Sequence, residues 1–318
     1  MSTINDYAAL INGWIKDLKY PQKPQGLYEP IDYMLCGGGK RLRPTLLCAS
    51  AEAFGLDCNE VKSQALGIEM FHNFTLLHDD VMDNADVRHG MPTVHRKWNV
   101  STAILSGDTM LTLANRLMGE CNAEHVAEVL DIFNKTAVEI YEGQQYDMNF
   151  ENREDVTLEE YVEMIRLKTA VLLGCACHVG ALLAGGSVDD CLNMYKFGEQ
   201  MGLAFQLRDD YLDTFGDVKT FGKEIGGDIL NDKKTWLRIK TASCDGGRLA
   251  TLTSTTNGTE KIEAVTNLYK ELCIDESCMR EVERYTSNAI KCLDNVSISD
   301  DFKQYFTDIA VSAIKRNH

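Results

Sequence analysis

The chain contains little proline, and all of it lies near the amino terminus. Of the 318 residues only five are proline, and the last of them is Pro92. Proline interrupts helices because it lacks a backbone donor, so residues 93–318 can form long, unbroken helices. These residues also include no stretch rich in Pro, Gly or Ser that would separate two domains. We therefore expect a single domain over residues 1–318.

Positive charge is scarce as well. The chain has 32 Lys and Arg against 48 Asp and Glu, which gives a formal net charge of −16. Binding to nucleic acid depends on a basic surface, so this composition argues against nucleic acid as a partner. Small phosphorylated substrates remain compatible with it, provided that basic residues cluster locally or that a metal ion supplies positive charge.

The eleven cysteines show no recognisable pattern. Their number is odd, their spacing is irregular and no CxxC pair occurs, which argues against a disulfide framework and against structural zinc. The amino terminus lacks the basic and apolar regions of a secretory signal. The most apolar window, residues 170–186, is short for a bilayer span and is interrupted by His178 and several glycines. A cytoplasmic protein without a transmembrane segment is predicted.

Apolar residues recur at helical spacing wherever the spacing can be counted. One such series follows a candidate cap at Asn122 and runs from Val126 to Tyr141 at intervals of three and four residues. Thr157 and Glu160 have the spacing of a capping box. No convincing strand pattern is found. Breaks between helices are expected at 37–39, 185–186, 226–227 and 241–259. The pattern predicts an all-α bundle of many helices.

An acidic pentad occurs twice. The copies are Asp79-Asp80-Val81-Met82-Asp83 and Asp209-Asp210-Tyr211-Leu212-Asp213, and each follows an apolar run. In a helix the first and fifth residues share a face, where two bare carboxylates repel each other. One copy could be a solvated helix face, but repetition indicates that a cation binds there. Paired oxygen ligands suit Mg²⁺ better than zinc. We expect the pentads to face each other across a central cavity.

Three basic clusters stand out in this acidic chain. Residues 37–44 read GGGKRLRP, a glycine-rich turn whose amides and cations could hold a diphosphate. Arg88-His89 follows the first pentad after a short spacer. Lys168-Thr169, Lys223 and Lys233 could neutralise the oxygens of a leaving group, although each lysine alone would be interpreted as a surface residue.

Taken in order, these motifs resemble those of the trans-isoprenyl diphosphate synthases (polyprenyl synthetases). The similarity runs from the GGGKRLRP segment through both pentads to GKEIGGD at 222–228 and KKT at 233–235, roughly residues 37 to 240. The resemblance implies an all-α bundle around a deep cavity, three bound Mg²⁺ ions and a homodimer. It also implies two substrates, an allylic diphosphate and isopentenyl diphosphate.

The resemblance further implies roles for individual residues. The three ions would be bound by Asp79, Asp83 and Asp209, supported directly or through water by Asp80, Asp210 and Asp213. The allylic diphosphate would be held by Arg88, Lys168, Thr169, Gln206 and Lys223, with Lys233 as a further candidate. Isopentenyl diphosphate would be held by Lys40, Arg43 and His72. Family members usually carry a contacting arginine at the position of His89, so a pH-dependent contact is expected here.

The implied reaction begins with ionisation of the allylic diphosphate, whose departing charge is stabilised by metal ions and by Lys and Arg. The double bond of isopentenyl diphosphate then attacks the allylic cation, and loss of a proton leaves a chain one isoprene unit longer. Bulky Phe71 and Phe74, small Thr75 and the absence of a two-residue insertion in the first pentad resemble short-chain synthases. This pattern favours a geranylgeranyl product over a farnesyl product.

Three alternatives are kept. A longer-chain synthase would share every motif. A terpene cyclase would share the first pentad, but its second metal site normally has an Asn/Asp, Ser/Thr, Glu pattern and it has no need of the GGGKR segment. A non-catalytic partner subunit would tend to lose aspartates from one pentad, and both are intact here.

Overall fold

The computed structural model describes residues 4–216 and 225–314. Almost all of the regular structure in these ranges is helical, which confirms the predicted all-α class. In chain order the α-helices are α1 (Ile4–Lys16), α2 (Gln25–Cys36), α3 (Leu42–Ala53), α4 (Lys62–Met82), α5 (Val94–Lys97), α6 (Val100–Met118), α7 (Val126–Glu151), α8 (Leu158–Ile165), α9 (Val171–Leu183), α10 (Val188–Phe215), α11 (Gly227–Leu230), α12 (Trp236–Ala242), α13 (Arg248–Thr255), α14 (Gly258–Glu271), α15 (Ile274–Leu293) and α16 (Asp300–Ile314).

The helices group into two compact units. The first consists of residues up to 135 together with 175–192, and the second consists of 136–174 together with the residues from 193 onward. The expectation of one domain over residues 1–318 stays a prediction.

In the first unit, α4 is the central helix. It packs against α3 and α6 and buries apolar side chains on most of its surface, including Ile68, Phe71 and Leu77. Each such side chain contributes about 1.5–3 kcal/mol through the hydrophobic effect. Gly67 permits the close approach of α6, because a Cβ there would lie 3.2 Å from the carbonyl oxygen of Ala114. This burial holds the end of α4, and with it the first pentad, in place.

A short hairpin follows the first pentad, where no strand was expected. Its strands, β1 (Val87–Arg88) and β2 (Met91–Pro92), pair in antiparallel register. Between them His89 has φ 50° and Gly90 has φ 77°. Two successive positive φ values are typical of the type I′ turn that closes two-residue hairpins. Strands of two residues are too short to produce an alternating pattern, which explains why the sequence did not predict them.

In the second unit, a π-helical turn at Arg166–Ala170 joins α8 to α9. Two glycines let other helices approach this turn. A Cβ at Gly143 on α7 would lie 2.3 Å from the backbone nitrogen of Lys168, and one at Gly202 on α10 would lie 2.6 Å from Cα of Ala170. π-Helical turns occur frequently at functional sites.

The stretch Leu158–Leu183, which includes this turn, is long and apolar enough to cross a membrane. However, 72% of its most apolar window is buried, as is typical of a core helix. Cys175 and Cys177 are buried within it, in agreement with the prediction that they are packing residues. All eleven cysteines lie within the described residues, and none of them forms a disulfide bond.

The predicted breaks at 37–39 and 185–186 lie between helices, whereas α7 begins at Val126 and not directly after the candidate cap Asn122. Thr157 and Glu160 form the predicted capping box at the start of α8. The stretch 241–259 was predicted to be a break, and this is wrong for its middle, which forms α13. The carboxylate of Asp245 accepts hydrogen bonds from the amides of Gly247 (2.9 Å) and Leu249 (2.5 Å), and Leu249 is buried. A local cap and one buried anchor therefore stabilise a helix that is otherwise polar.

Candidate active site

The first pentad lies where α4 ends. Asp79 and Asp80 belong to its last turn, and Asp83 is the C-terminal cap, whose amide donates to the carbonyl oxygen of Asp79 at 2.8 Å. Asp79 is half-buried and Asp83 is exposed. The helical placement confirms the predicted spacing, in which the first and fifth carboxylates share one face.

Asp80, the second aspartate, has a different environment. It is buried, and its Oδ1 accepts a hydrogen bond from Nε of Arg88 at 2.7 Å. Burial raises the pKa of the Asp80 carboxyl, whereas the charge of Arg88 opposes that rise. Its Oδ2 is buried and has no hydrogen-bond partner within the described ranges. Asp80 therefore orients Arg88 on the hairpin and retains an oxygen that can accept from a metal-bound water.

Arg43 and His72 are brought together by α3 and α4. Nη1 of Arg43 lies 3.0 Å from Nε2 of His72. Burial, and after it the charges of Arg43 and Arg88, lower the pKa of His72 well below its ordinary value. Because a guanidinium can only donate, Nε2 of a neutral His72 accepts this bond and the ring proton resides on Nδ1.

The charge of Arg43 is not balanced by these contacts. Burial lowers the pKa of its guanidinium to about 10, despite the opposing charge of Glu69. Its Nε is buried and finds no hydrogen-bond partner among the described residues. Arg88, Arg41 and His89 are close enough to act electrostatically on the same imidazole. The first unit thus contains a local concentration of positive charge, which suits an anion.

The three residues predicted to limit product length lie on α4 before Asp79. Phe71 and Phe74 are buried, and their ring centroids are 5.5 Å apart. Phe71 also contacts Phe133 at 5.2 Å, and Phe74 contacts the ring of His78 at 4.7 Å. Thr75 is half-buried, and its hydroxyl donates to the carbonyl oxygen of His72 at 2.8 Å. Phe74 is therefore a rigid, packed side chain.

The second pentad lies within α10, in the second unit. Asp209 and Asp213 are half-buried, whereas Asp210 is buried. The hydroxyl of Tyr161 donates to Oδ2 of Asp210, and Nε2 of Gln206 donates to Oδ1 at 3.2 Å. Burial and the charge of Asp228 raise the pKa of Asp210 to about 7, while the bond from Tyr161 opposes that rise.

Asp213 is held by the residues that follow the gap in the described chain. Its Oδ2 accepts a hydrogen bond from the amide of Asp228 at 2.9 Å, and its carbonyl oxygen accepts one from Gly226 at 2.6 Å. Gly226 has φ 86°, a left-handed conformation that favours glycine. Gly226 of the GKEIGGD segment therefore has a local role in placing Asp213.

Lys168 and Thr169 lie in the π-helical turn. Nζ of Lys168 bonds Oδ2 of Asp147 at 2.6 Å, and the hydroxyl of Thr169 bonds Oε1 of Gln206 at 3.2 Å. Burial raises the pKa of Asp147, but Lys168 and Lys233 outweigh it, so the net shift is downward. The carboxylate is therefore ionised at neutral pH and fixes the lysine in place.

Lys233 and Lys223 are the two other lysines predicted to hold the allylic diphosphate. Lys233 is exposed, and its Nζ lies 4.0 Å from Oδ1 of Asp228. Lys223 lies outside the described residues.

The described side chains do not by themselves form a complete metal site. Within residues 4–216 and 225–314, no group of three or more His, Cys, Asp or Glu side chains is arranged to hold one. Each pentad nevertheless offers carboxylates at helical spacing and no nitrogen or sulfur ligand. Mg²⁺ is usually bound by one or two carboxylates, with water and substrate phosphates completing its octahedron. The residues therefore fit Mg²⁺ that binds together with a diphosphate.

Sequence reasoning missed two supporting residues. Tyr161 follows the capping box at an apolar position of the helix, and the sequence does not indicate that its hydroxyl donates to Asp210. Arg41 lies between two predicted substrate ligands, yet its side chain is buried and bonds Glu69. The signal for the second pair was present, because Glu69 is a single carboxylate within an apolar run, and such a residue usually has a buried partner.

Comparison with known proteins agrees with these observations. Residues 24–272 match the family model described as polyprenyl synthetase. A geranylgeranyl diphosphate synthase of Methanosarcina mazei is 40% identical over 238 residues, 74% of each chain. A geranylgeranyl pyrophosphate synthase of Geoglobus acetivorans is 37% identical over 99% of this chain and 98% of its own. A crystal structure of a geranylgeranyl pyrophosphate synthase superposes with a TM-score of 0.95 at 40% identity and full coverage of both chains.

The fold, both aspartate motifs and this full-length similarity lead to one assignment: the chain belongs to the polyprenyl synthetase family.

Proposed function

We propose that this protein is a Mg²⁺-dependent trans-prenyltransferase that condenses an allylic diphosphate with isopentenyl diphosphate. The product would be a short-chain all-trans prenyl diphosphate, geranylgeranyl ahead of farnesyl. The observation that carries the proposal lies in the first unit, where Arg88 bonds Asp80 of the first pentad at 2.7 Å and both Arg88 and Arg43 act electrostatically on His72. A diphosphate that brings Mg²⁺ can use both kinds of group.

The allylic diphosphate is assigned to residues of both aspartate motifs. Asp79, Asp83 and Asp209 would hold Mg²⁺ through carboxylate oxygens, with Asp80, Asp210 and Asp213 in support, directly or through water. When bound, Mg²⁺ supplies Lewis-acid stabilisation of the diphosphate charge. The residues assigned to bind the diphosphate oxygens directly are Arg88, Lys168, Thr169, Gln206, Lys223 and Lys233.

The bonds around these ligands support their assigned roles. Asp80 holds Arg88 at 2.7 Å, and Asp147 holds Lys168 at 2.6 Å. Cations fixed in advance need no reorganisation as charge develops on the leaving diphosphate, which is the condition for efficient electrostatic stabilisation.

Isopentenyl diphosphate is assigned to Lys40, Arg43, His72 and His89. Because His72 is neutral, it adds no charge and instead orients Arg43 through the bond at 3.0 Å. Arg43 is left with a buried Nε that a phosphate oxygen can satisfy. Holding the double bond beside the allylic carbon makes the attack effectively unimolecular.

The remaining steps need little from ionisable side chains. The departing diphosphate is assigned as the base that takes the final proton, because no motif side chain is assigned that role. The buried rings of Phe71 and Phe74 on α4 provide apolar surface near the first motif. Such surface excludes water, which would otherwise quench the allylic cation.

We also propose a homodimer in the cytoplasm. Val100, Ile104 and Leu105 on α6 are between 45% and 59% exposed in the single chain. Neighbouring apolar side chains exposed on one helix are typical of a surface that another subunit covers. Sedimentation of the protein as a monomer at micromolar concentration would contradict this part of the proposal.

The test is turnover by the purified protein alone. With Mg²⁺, labelled isopentenyl diphosphate and each allylic primer, we expect labelled products whose length is measured after dephosphorylation. Asp79→Ala and Asp209→Ala should each lower kcat by orders of magnitude and leave the helical circular dichroism unchanged. Ser63→Ala, at the half-buried start of α4, is the control. Near-normal turnover in both aspartate variants would refute the metal assignment, and cyclised hydrocarbon products would favour a terpene cyclase.

A further inference from the structure

Arg41 lies between two proposed ligands of isopentenyl diphosphate, Lys40 and Arg43, but has a different environment. Its φ is 51°, in the left-handed region, and it is the N-terminal cap of α3. Arg41 is 4% exposed, whereas Lys40 is exposed. A left-handed residue changes the direction of the chain between its neighbours, so Arg41 is buried while Lys40 remains at the surface.

The buried guanidinium has a partner for each of its nitrogens. Nη1 contacts Oε1 of Glu69 at 2.5 Å, Nε donates to Oδ1 of Asn12 at 3.0 Å, and Nη2 donates to the carbonyl oxygen of Leu35 at 2.6 Å. Oε1 of Glu69 also accepts from Nδ2 of Asn73 at 3.0 Å. Arg41 therefore links α1, the end of α2 and α4 at one point.

The contacts on α4 explain why this point bears on substrate binding. Glu69 precedes His72 by three residues, so the two side chains lie one helical turn apart on the same side of α4. Arg41 binds the first of them and Arg43 binds the second, at 2.5 Å and 3.0 Å. Two successive turns of α4 thus bind two residues of the GGGKRLRP segment, Arg41 and Arg43.

We propose that Arg41 and Glu69 are positioning residues for isopentenyl diphosphate, which fix the triglycine turn against α4 so that Lys40 and Arg43 meet the diphosphate together. The inference rests on the proposed function. Glycines Gly38 and Gly39, with φ 99° and 129°, leave the turn few internal restraints, so the buried pair supplies the restraint from outside.

The experiment uses one nearly isosteric and one charge-conserving substitution. Glu69→Gln keeps the size of the side chain and removes its charge, and Arg41→Lys keeps the charge but loses the fork that bonds three partners. We expect each variant to raise KM for isopentenyl diphosphate about tenfold or more, with kcat at saturation and KM for the allylic substrate changed by less than about threefold. The Kd of isopentenyl diphosphate, measured by equilibrium dialysis without turnover, should rise in parallel.

Asp190→Asn is the control for a loss of stability alone. Asp190 is a buried carboxylate of the same unit whose Oδ2 accepts from the hydroxyl of Ser187 at 2.6 Å, and it has no assigned part in substrate binding. A purely structural role for Arg41 and Glu69 would lower Tm and the active fraction, as in Asp190→Asn, and leave KM unchanged. That result overturns the proposal, as does an equal rise in KM for both substrates.

Binding and turnover measured with the wild-type protein distinguish a failure of this inference from a failure of the proposed function. If the wild type binds isopentenyl diphosphate but forms no product, the proposed function fails and the Kd values still decide the role of the pair. If Arg41→Lys does not fold, Glu69→Gln decides alone, and an unchanged Kd in that variant refutes the inference.

Discussion

Alanine at Gly143 should damage the enzyme far more than the same change elsewhere in a helix. The new Cβ would lie 2.3 Å from the backbone nitrogen of Lys168 and 2.8 Å from its Cα. Ordinary contacts begin near 3.4 Å. Neither partner atom can rotate away because both belong to the backbone, so α7 must move from the π-helical turn by about 1 Å.

The change in unfolding free energy is the sum of two opposing effects. Replacing a helical glycine by alanine gains about 1 kcal/mol of helix propensity, whereas overpacking a tight contact costs about 1–3 kcal/mol. Gly13 on α1 provides the matched control, because a Cβ there meets nothing within 4 Å. The propensity term is common to both sites, so the difference in unfolding free energy between Gly13→Ala and Gly143→Ala should be the overpacking cost of about 1–3 kcal/mol.

The loss of activity in Gly143→Ala should be larger than its loss of folding stability alone would cause. Lys168 is bonded to Asp147, one turn beyond Gly143 on the same helix, so a shift of α7 changes the position of the lysine directly. Misplacement of a catalytic group by about 1 Å can lower the rate about 100-fold. We expect this loss in kcat/KM for the allylic substrate, with little change in KM for isopentenyl diphosphate. Urea unfolding and steady-state kinetics measure the two effects. A Gly143→Ala variant as stable and as active as Gly13→Ala would refute the reasoning.

Two further predictions concern residues of the first unit. Phe74→Ala should lengthen the products, because it removes a packed ring from the residues predicted to limit product length. The measurement is the size of the products compared with those of Val138→Ala, a change at an exposed position of α7. An unchanged distribution would place the limit on another helix, near Met110 and Leu113. His89→Arg should lower KM for isopentenyl diphosphate and flatten its pH dependence, because an imidazole loses its charge as pH rises while a guanidinium does not. The measurement is KM of the native enzyme and of the variant from about pH 6 to 9. Parallel profiles would show that His89 does not contact the substrate.

The long helices were predictable because their apolar spacing persists over several turns. α7 is an example, with its series from Val126 to Tyr141 lying within the observed helix Val126–Glu151. The short elements were not. The two-residue strands and the eight-residue α13 depend on a turn conformation and on one carboxylate cap, respectively, and neither produces a periodic pattern.

The π-helical turn shows a different limit. The change from i→i+4 to i→i+5 hydrogen bonding covers only the five residues 166–170, which is too short a segment to be distinguished from ordinary helix by its apolar spacing. The signal for it lies elsewhere in the chain, in Gly143 and Gly202, which remove side chains where other helices approach this turn. Glycine in a helix interior lowers its stability, so two such residues on long helices indicate close packing.

The repeated pentad is the strongest feature of the sequence, yet its two copies are supported by unlike structures. Asp80 lies at the end of a helix and is bonded by Arg88, a cation from the hairpin that follows. Asp210 lies within a long helix and is bonded by the neutral groups of Tyr161 and Gln206. Burial raises the pKa of both carboxyls. The charge of Arg88 opposes that rise at Asp80, whereas at Asp210 the charge of Asp228 adds to it and the pKa reaches about 7. The spacing of each pentad shows only that its paired carboxylates share a face. The residues that orient those carboxylates come from other elements of the same unit. These partners determine how strongly each motif depends on the cation that it binds.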